Sequence, residues 1–208
     1  YRDRLVHEVF VEGAPLFPIN SVMIHGTIIT KNGPPRVMSQ DPANCIKEMR
    51  TAFASGSSLQ EIYADSDILN KDGGVLWDEL AKCIAWVRRN ADVLADTHWV
   101  GGNPWDKAKK DGDIYGWAAW SPTKCTLTLR NSSAKPKTLN TTLRQMLDVP
   151  PDVTGAIILR SSFADQRVLS GIMDKAVDVD TPIDEVTLLI EKYNLVAIPV
   201  VDKINRLV

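Results

Sequence analysis

Cysteine is scarce in this sequence, with three residues among 208. Cys45, Cys83 and Cys125 are widely spaced and form no C-x-x-C pair, so neither a zinc site nor a redox motif is predicted. We expect each of them to be a small buried side chain. The stretch DTH at 96–98 contains a single histidine, which does not suffice for a metal site. The sequence therefore predicts no metal and no cofactor.

An excess of one charge and a long apolar run are also absent. The 24 basic and 26 acidic residues give a net charge of -2, so no basic excess exists to neutralise phosphates. This balance argues against nucleic acid as a partner. The longest apolar runs, such as residues 195–201, are far shorter than the ~20 residues of a membrane span. We expect no membrane span.

The first hundred residues alternate between strand and helix patterns. Residues 16–30 are rich in Ile, Val and Thr without a helical period, which predicts a buried strand. Asp41-Pro42 is typical of a helix start and Gly56 of a helix end, and a short strand follows at 57–63. A long helix is predicted over 75–94, with Glu79 on its polar side. Its predicted apolar stripe consists of Leu76, Leu80, Ile84, Val87, Ala91 and Leu94.

The pattern changes to short β-type runs over residues 113–159. The runs are IYGWAAW, KCTLTLR, TLNTTLRQML and GAIILR, separated by Ser-Pro, Asn-Ser-Ser and Pro-Pro breaks. They predict an antiparallel β-domain. The last thirty residues return to a helix pattern, starting at Thr181-Pro182, and then a buried strand, LVAIPVVD.

Four stretches resemble the end of a (β/α)8 glycoside hydrolase of the α-galactosidase-like clan. They are GAPLFPINSVMIHG, SGSSLQEIYADSDIL, NADVLADTHWVGGNPW and YGWAAWSPTKCTLTLRN. The resemblance implies that residues 21–25 belong to the seventh barrel strand and residues 59–63 to the eighth, with the helix at 75–94 closing the barrel. It also implies a C-terminal portion of the barrel over 1–106 and an antiparallel β-domain over 107–179.

Residues 180–208 are similar to part of a CBS module, especially those of MgtE-type magnesium transporters. The stretch is DTPIDEVTLLIEKYNLVAIPVVDKINRLV. The resemblance implies a regulatory module that senses an adenine nucleotide or Mg²⁺. It departs from the family in two ways. Fewer residues than usual lie between Ile172-Met173 and Asp180-Thr181, and the strand that usually supplies a ribose-binding Asp is missing. The junction near 175–182 is interpreted as a fusion, a chimera or a misjoined reading frame.

The resemblance also suggests which residues act on a sugar. Retaining glycosidases use two carboxylates about 5–5.5 Å apart, at the C-terminal ends of barrel strands. In this clan they come from the fourth and sixth strands, so Asp3 is the one catalytic candidate in the chain, with a solvated terminal charge as the alternative. For substrate binding the candidates are His25 at the end of the seventh strand, Glu61 and Tyr63 at the exit of the eighth, and Trp99.

Each binding candidate also has a structural interpretation. A lone histidine beside a strand is often structural, and Asp65 and Asp67 are interpreted as surface charges or turn formers. Aromatic faces stack on sugars, but the later tryptophans also suit a role in joining the barrel end to the β-domain. Those tryptophans are Trp99, Trp105, Trp117 and Trp120, whereas Trp77 and Trp86 are assigned to helix packing.

The sequence as a whole predicts an α/β plus all-β fold: closing strands of a (β/α)8 (TIM) barrel, an antiparallel β-domain and a CBS-like βα tail. The leading function is a fragment of a retaining, α-galactosidase-like hydrolase that is not catalytically competent alone and has carbohydrate as its partner. The alternatives are the CBS-type regulatory module and a structural remnant without a ligand. Since most barrel strands are missing, we expect self-association or pairing with the missing barrel half. The compartment stays open, because such hydrolases are often exported and CBS modules are cytoplasmic.

Overall fold

The structure, a computed structural model, describes most of the first 153 residues and three short stretches beyond them. The described residues are 2–13, 17–31, 41–108, 113–131, 139, 141–153, 156–158, 163 and 170–172. They fall into two compact units, Tyr1–Ala95 and Asp96–Val208. The CBS-like tail predicted over 180–208 lies outside the described residues, and so does the proposed junction near 175–182.

The first unit combines helices with a pair of parallel strands. Its elements are α1 (Arg2–Val6), a π-helical turn (His7–Val11), a 3-10 turn (Ile19–Ser21), β1 (Met23–Ile29), α2 (Pro42–Ala54), β2 (Leu59–Ala64), α3 (Ser66–Leu69), a second 3-10 turn (Lys71–Gly74) and α4 (Val75–Leu94). β1 and β2 are neighbours and run parallel. The predicted alternation of strand and helix around parallel strands is therefore confirmed, while the described residues contain two such strands and no closed barrel.

Helix α2 begins and ends where its sequence predicts. The Asp41 carboxylate accepts a hydrogen bond from the Asn44 backbone N–H at 3.2 Å, and Pro42 occupies the first helical turn, where its missing N–H is not needed. At the other end Gly56 has a φ of 73°, in the left-handed region that glycine enters most easily. Local sequence alone therefore sets both ends of this helix.

Helix α4 has the predicted length, but a different face is buried. Glu79, predicted on the polar side, is only 3% exposed and accepts a hydrogen bond from Arg50 Nε of α2 at 2.6 Å. That prediction was wrong, because the carboxylate meets a buried guanidinium of α2 that compensates its charge. Trp77, assigned to packing, is also exposed. The buried side of α4 is lined by Leu76, Glu79, Cys83, Trp86, Asn90, Val93 and Leu94.

The second unit contains an antiparallel sheet, as predicted. Its elements are β3 (His98–Gly101), β4 (Ile114–Trp120), β5 (Cys125–Asn131), α5 (Leu143–Leu147), β6 (Ala156–Ile158) and β7 (Ser170–Ile172). The strands β3, β4 and β5 form one sheet in that order, and β6 pairs with β7. Residues 98–101 belong to this sheet because they pair with β4. The chain accordingly divides into its two units after Ala95, whereas the sequence analysis placed a boundary after residue 106.

One predicted β-run of the second unit is a helix. Residues 143–147 of TLNTTLRQML form α5, and the prediction of a strand there was wrong. The Thr142 hydroxyl accepts a hydrogen bond from the Gln145 backbone N–H, and the Gln145 side chain accepts one from the Thr142 backbone N–H, both at 3.1 Å. This reciprocal cap satisfies two backbone donors that a short helix leaves unpaired. Leu143, Met146 and Leu147 are buried in a core shared with the sheet.

The three cysteines are free and buried, which confirms their predicted role as small core side chains. Burial raises the pKa of the Cys83 and Cys125 thiols to about 12. Both side chains therefore remain protonated at neutral pH and are poor nucleophiles. Within the part of the chain that the structure describes, no helix combines the length and apolarity needed to cross a membrane.

Candidate functional site

Three of the predicted sugar-binding residues meet on the β1–β2 pair. His25 Nδ1 lies 2.6 Å from Glu61 Oε2, and the Tyr63 hydroxyl donates a hydrogen bond to the same oxygen at 2.8 Å. The rings of His25 and Tyr63 are 6.2 Å apart between centroids. The carboxylate thus joins an imidazole and a phenol in one cluster, which we call the Glu61 cluster.

Strand register brings these residues together. His25 is the direct partner of Glu61, and Tyr63 pairs with Ile28 further along the strands. The register shifts between His25 and Thr27, where β1 carries a bulge. Bulges redirect side chains and are frequent beside functional sites. His25 was predicted at the end of its strand, but β1 continues to Ile29, so His25 lies within the strand instead.

The cluster lies on the face of the strand pair that is turned away from α2, which we call the outward face. On the opposite face, Gln60 Nε2 donates a hydrogen bond to the Ala52 carbonyl oxygen of α2 at 2.7 Å. On the outward face the side chains of His25 and Glu61 are 58% and 36% exposed. Met23 and Leu59, partners in the register, are 51% and 56% exposed on the same side. An accessible polar cluster therefore lies next to an accessible apolar patch.

Hydrogen bonding keeps the carboxylate of the cluster ionised. The Tyr63 hydroxyl, and after it the His25 ring, lower the pKa of Glu61 below its ordinary value. The same bond raises the pKa of Tyr63, because its proton is held by a carboxylate. At neutral pH Glu61 is therefore an anion and Tyr63 a hydrogen-bond donor.

Replacing Tyr63 by phenylalanine is expected to raise the pKa of Glu61 toward its ordinary value of 4.5, because Tyr63 provides its largest downward shift. The folded-state pKa lies below that value, so the stabilisation from this carboxylate is present above pH 4.5 and is lost as the pH falls through the folded pKa. NMR titration of the Glu61 side-chain carboxyl carbon measures the shift. An unchanged titration in the variant would show that the hydroxyl does not bond to Glu61.

A second group of polar residues connects the ends of β1 and β2 through hydrogen bonds and an ion pair. Asp65 accepts hydrogen bonds from the Thr30 hydroxyl at 3.0 Å and from the Lys31 backbone N–H at 2.7 Å. Lys31 also forms an ion pair with Asp67. These contacts lower the pKa of both Asp65 and Asp67. The two aspartates hold the loop after β2 against the end of β1, in agreement with their interpretation as turn formers.

Asp3, the catalytic candidate, is buried in α1. Its carboxylate lies 2.8 Å from Arg2 Nε, and Arg2 Nη1 lies 3.4 Å from Glu48 Oε2 on α2. The alternative of a solvated terminal charge is wrong, because Asp3 is only 3% exposed. Its buried ion pair suits a structural role in attaching α1 to α2.

Trp99 belongs to an aromatic cluster within the second unit. Its ring stacks on Tyr115 at a centroid distance of 4.9 Å with an interplanar angle of 9°, and meets Trp117 edge-on at 4.9 Å. Trp105 contacts Trp99 and Tyr115 at 6.2 and 5.3 Å. One face of Trp99 is thus covered by Tyr115, so the residue acts as a packing element of the sheet.

The Glu61 cluster has the chemistry of a binding site for hydroxyl or amine donors. Both hydrogen bonds to Glu61 reach Oε2, and among the described residues no donor reaches Oε1. A carboxylate oxygen can accept two further hydrogen bonds. The described residues contain no group of three or more side chains suited to a metal ion. Sequence reasoning had identified all three members of the cluster, although it did not anticipate their mutual contacts.

Comparison with known proteins reveals no relative of this chain. The chain matches no family model, no curated protein and no solved structure.

Proposed function

We propose that this chain is the sugar-binding part of a carbohydrate-active α/β protein of the α-galactosidase-like kind. The observation that carries the proposal is the Glu61 cluster, in which three residues singled out for sugar binding are in mutual contact on an accessible sheet face. The proposal assigns the sugar hydroxyls to Glu61, His25 and Tyr63. It assigns an apolar face of the sugar ring to the neighbouring Met23 and Leu59.

The groups of the cluster match what a sugar requires. A pyranose presents adjacent hydroxyls that donate hydrogen bonds, and the open Oε1 of Glu61 can accept them. A pyranose also presents patches of C–H groups, which pack against aromatic and apolar surfaces such as the half-exposed Tyr63 ring. A carboxylate that stays ionised is a stronger acceptor than a neutral amide.

The arrangement of β1 and β2 supports the proposal that the Glu61 cluster faces the interior of a barrel. In a (β/α)8 barrel the helices cover one face of the sheet, and the other face points to the barrel interior. Here α2 lies against one face of β1 and β2, and the Glu61 cluster lies on the opposite face, which corresponds to the barrel interior. We therefore propose that these strands are two of the closing strands of such a barrel.

Catalysis requires more than this cluster contains. A retaining glycosidase needs a nucleophile and an acid/base carboxyl about 5–5.5 Å apart. The Glu61 cluster consists of one carboxylate, one imidazole and one phenol, so it does not itself contain a second carboxyl. Asp3 is engaged in a buried ion pair. Accordingly, the proposed role of the cluster is to bind and orient a sugar rather than to cleave it.

Replacing Glu61 by alanine is expected to weaken the binding of methyl α-galactoside by about threefold or more, because it removes the charged acceptor to which the sugar hydroxyls donate. Ligand-observed NMR at increasing sugar concentration measures the dissociation constant in the wild type and the variant.

The matched control is Glu8→Ala, which removes a similarly accessible carboxylate of the π-helical turn that pairs with Arg4 of α1. This control is expected to leave sugar binding unchanged. The proposal fails if the Glu61→Ala variant binds as the wild type does, or if the wild type binds none of a panel of neutral and charged monosaccharides.

A further inference from the structure

The outward face that carries the Glu61 cluster has an unbalanced set of charges. By strand alternation and register, this face comprises Met23, His25, Ile28, Leu59, Glu61 and Tyr63. These six residues include one carboxylate and one imidazole, and neither lysine nor arginine. Lys31, which follows the end of β1, is engaged by Asp67. Glu61 is therefore the group of this face that a bound cation meets.

We propose, building on the proposed sugar-binding function, that the Glu61 cluster selects sugars bearing a protonated amine over neutral sugars. The open Oε1 of Glu61 accepts an ammonium N–H, and its second acceptor position takes a neighbouring hydroxyl. A 2-amino sugar presents these two donors side by side. The ligand class is thus a hexosamine with a free amino group.

Other groups of the cluster favour the same ligand. Tyr63 and His25 occupy Oε2, so they hold the carboxylate in place while leaving Oε1 to the ligand. The half-exposed Tyr63 ring also offers a π-face that attracts a cation. The pKa of Glu61 is lowered, so the carboxylate keeps its charge in mildly acidic solution as well.

The test compares D-glucosamine with N-acetyl-D-glucosamine, which has the same ring but a neutral amide. Dissociation constants are measured by NMR at pH 7 and low ionic strength on the full chain. We expect glucosamine to bind about 1.5-fold to fivefold more tightly, the range of an exposed ion pair. Raising the salt concentration to 0.5 M is expected to reduce this ratio, because exposed charges are screened.

Two variants locate the preference. Glu61→Gln keeps the shape of the side chain and is expected to equalise the two dissociation constants, whereas Glu8→Gln, which changes an exposed carboxylate outside the Glu61 cluster, is expected to preserve the ratio. The inference is overturned if both sugars bind the wild type equally, or if the preference persists in Glu61→Gln. Equal binding of both sugars would leave the proposed sugar-binding function standing, but an absence of binding by either sugar and by methyl α-galactoside would overturn both.

Discussion

Replacing Glu79 by alanine is expected to lower the free energy of unfolding of the first unit by about 3–5 kcal/mol. Arg50 and Glu79 join α2 to α4 with side chains only 8% and 4% exposed, and Arg50 Nε lies 2.6 Å from Glu79 Oε1. Removal of the carboxylate takes away the acceptor of Arg50 Nε in the interior, where the pair is shielded from solvent. The cost of the substitution is mainly the loss of this buried, charge-assisted contact.

Two further variants separate this effect from loss of a surface contact. Lys82 also approaches Glu79, at 3.8 Å, but it is 62% exposed, so Lys82→Ala is expected to cost less than about 1 kcal/mol. The double variant Arg50→Met with Glu79→Leu is expected to be more stable than Glu79→Ala, because it removes both buried charges of the pair and fills their place with apolar side chains. Hydrogen exchange of the α2 and α4 amides measures all three free energies. A loss below about 1 kcal/mol in Glu79→Ala would contradict the importance of the pair.

Replacing Trp117 by alanine is expected to destabilise the second unit by about 3–5 kcal/mol, the range for removing a large buried aromatic side chain. Trp117 is 2% exposed and lies edge-on to Trp99 at 4.9 Å. The neighbouring Gly116 leaves little freedom to relax, because a Cβ there would lie 1.7 Å from the Thr128 carbonyl oxygen. Hydrogen exchange of the β4 and β5 amides measures the loss.

Trp117→Phe is the matched control for this prediction. The Trp117 indole N–H is buried without a hydrogen-bond partner among the described residues, so its removal forfeits no such bond. Phenylalanine keeps an aromatic ring in the cluster, and we expect the variant to lose clearly less stability than Trp117→Ala. If both variants lose the same amount, the aromatic packing does not account for the stability contributed at this position.

The members of the Glu61 cluster could be predicted from the sequence because each lies in a recognisable strand. Residues 59–63 were expected in a strand, and β2 is Leu59–Ala64. The contacts between them could not be predicted, because they depend on the register between β1 and β2 and on the bulge after His25. A shift of one residue between the strands would turn Glu61 to the opposite face.

The sequence by itself determined the features that depend on neighbouring residues. The ends of α2 follow from a carboxylate cap, a proline in the first turn and a glycine after the last, all of which act within a few residues. The bounds of α4 follow from a twenty-residue helical pattern, Val75–Leu94. The interactions that stabilise such features join residues close together in the sequence, so the features can be predicted without knowledge of the fold.

Only the tertiary structure decided which side of α4 is buried, because that depends on its packing against other segments, and the burial of Glu79 depends on Arg50 of α2. The apolar stripe alone placed Glu79 in solvent, but a charged side chain enters the interior when a partner of opposite charge meets it there. The same reason applies to the Glu61 cluster, whose three side chains come from two strands separated by a helix. Contacts between distant segments depend on packing and register, and local patterns carry little information about either.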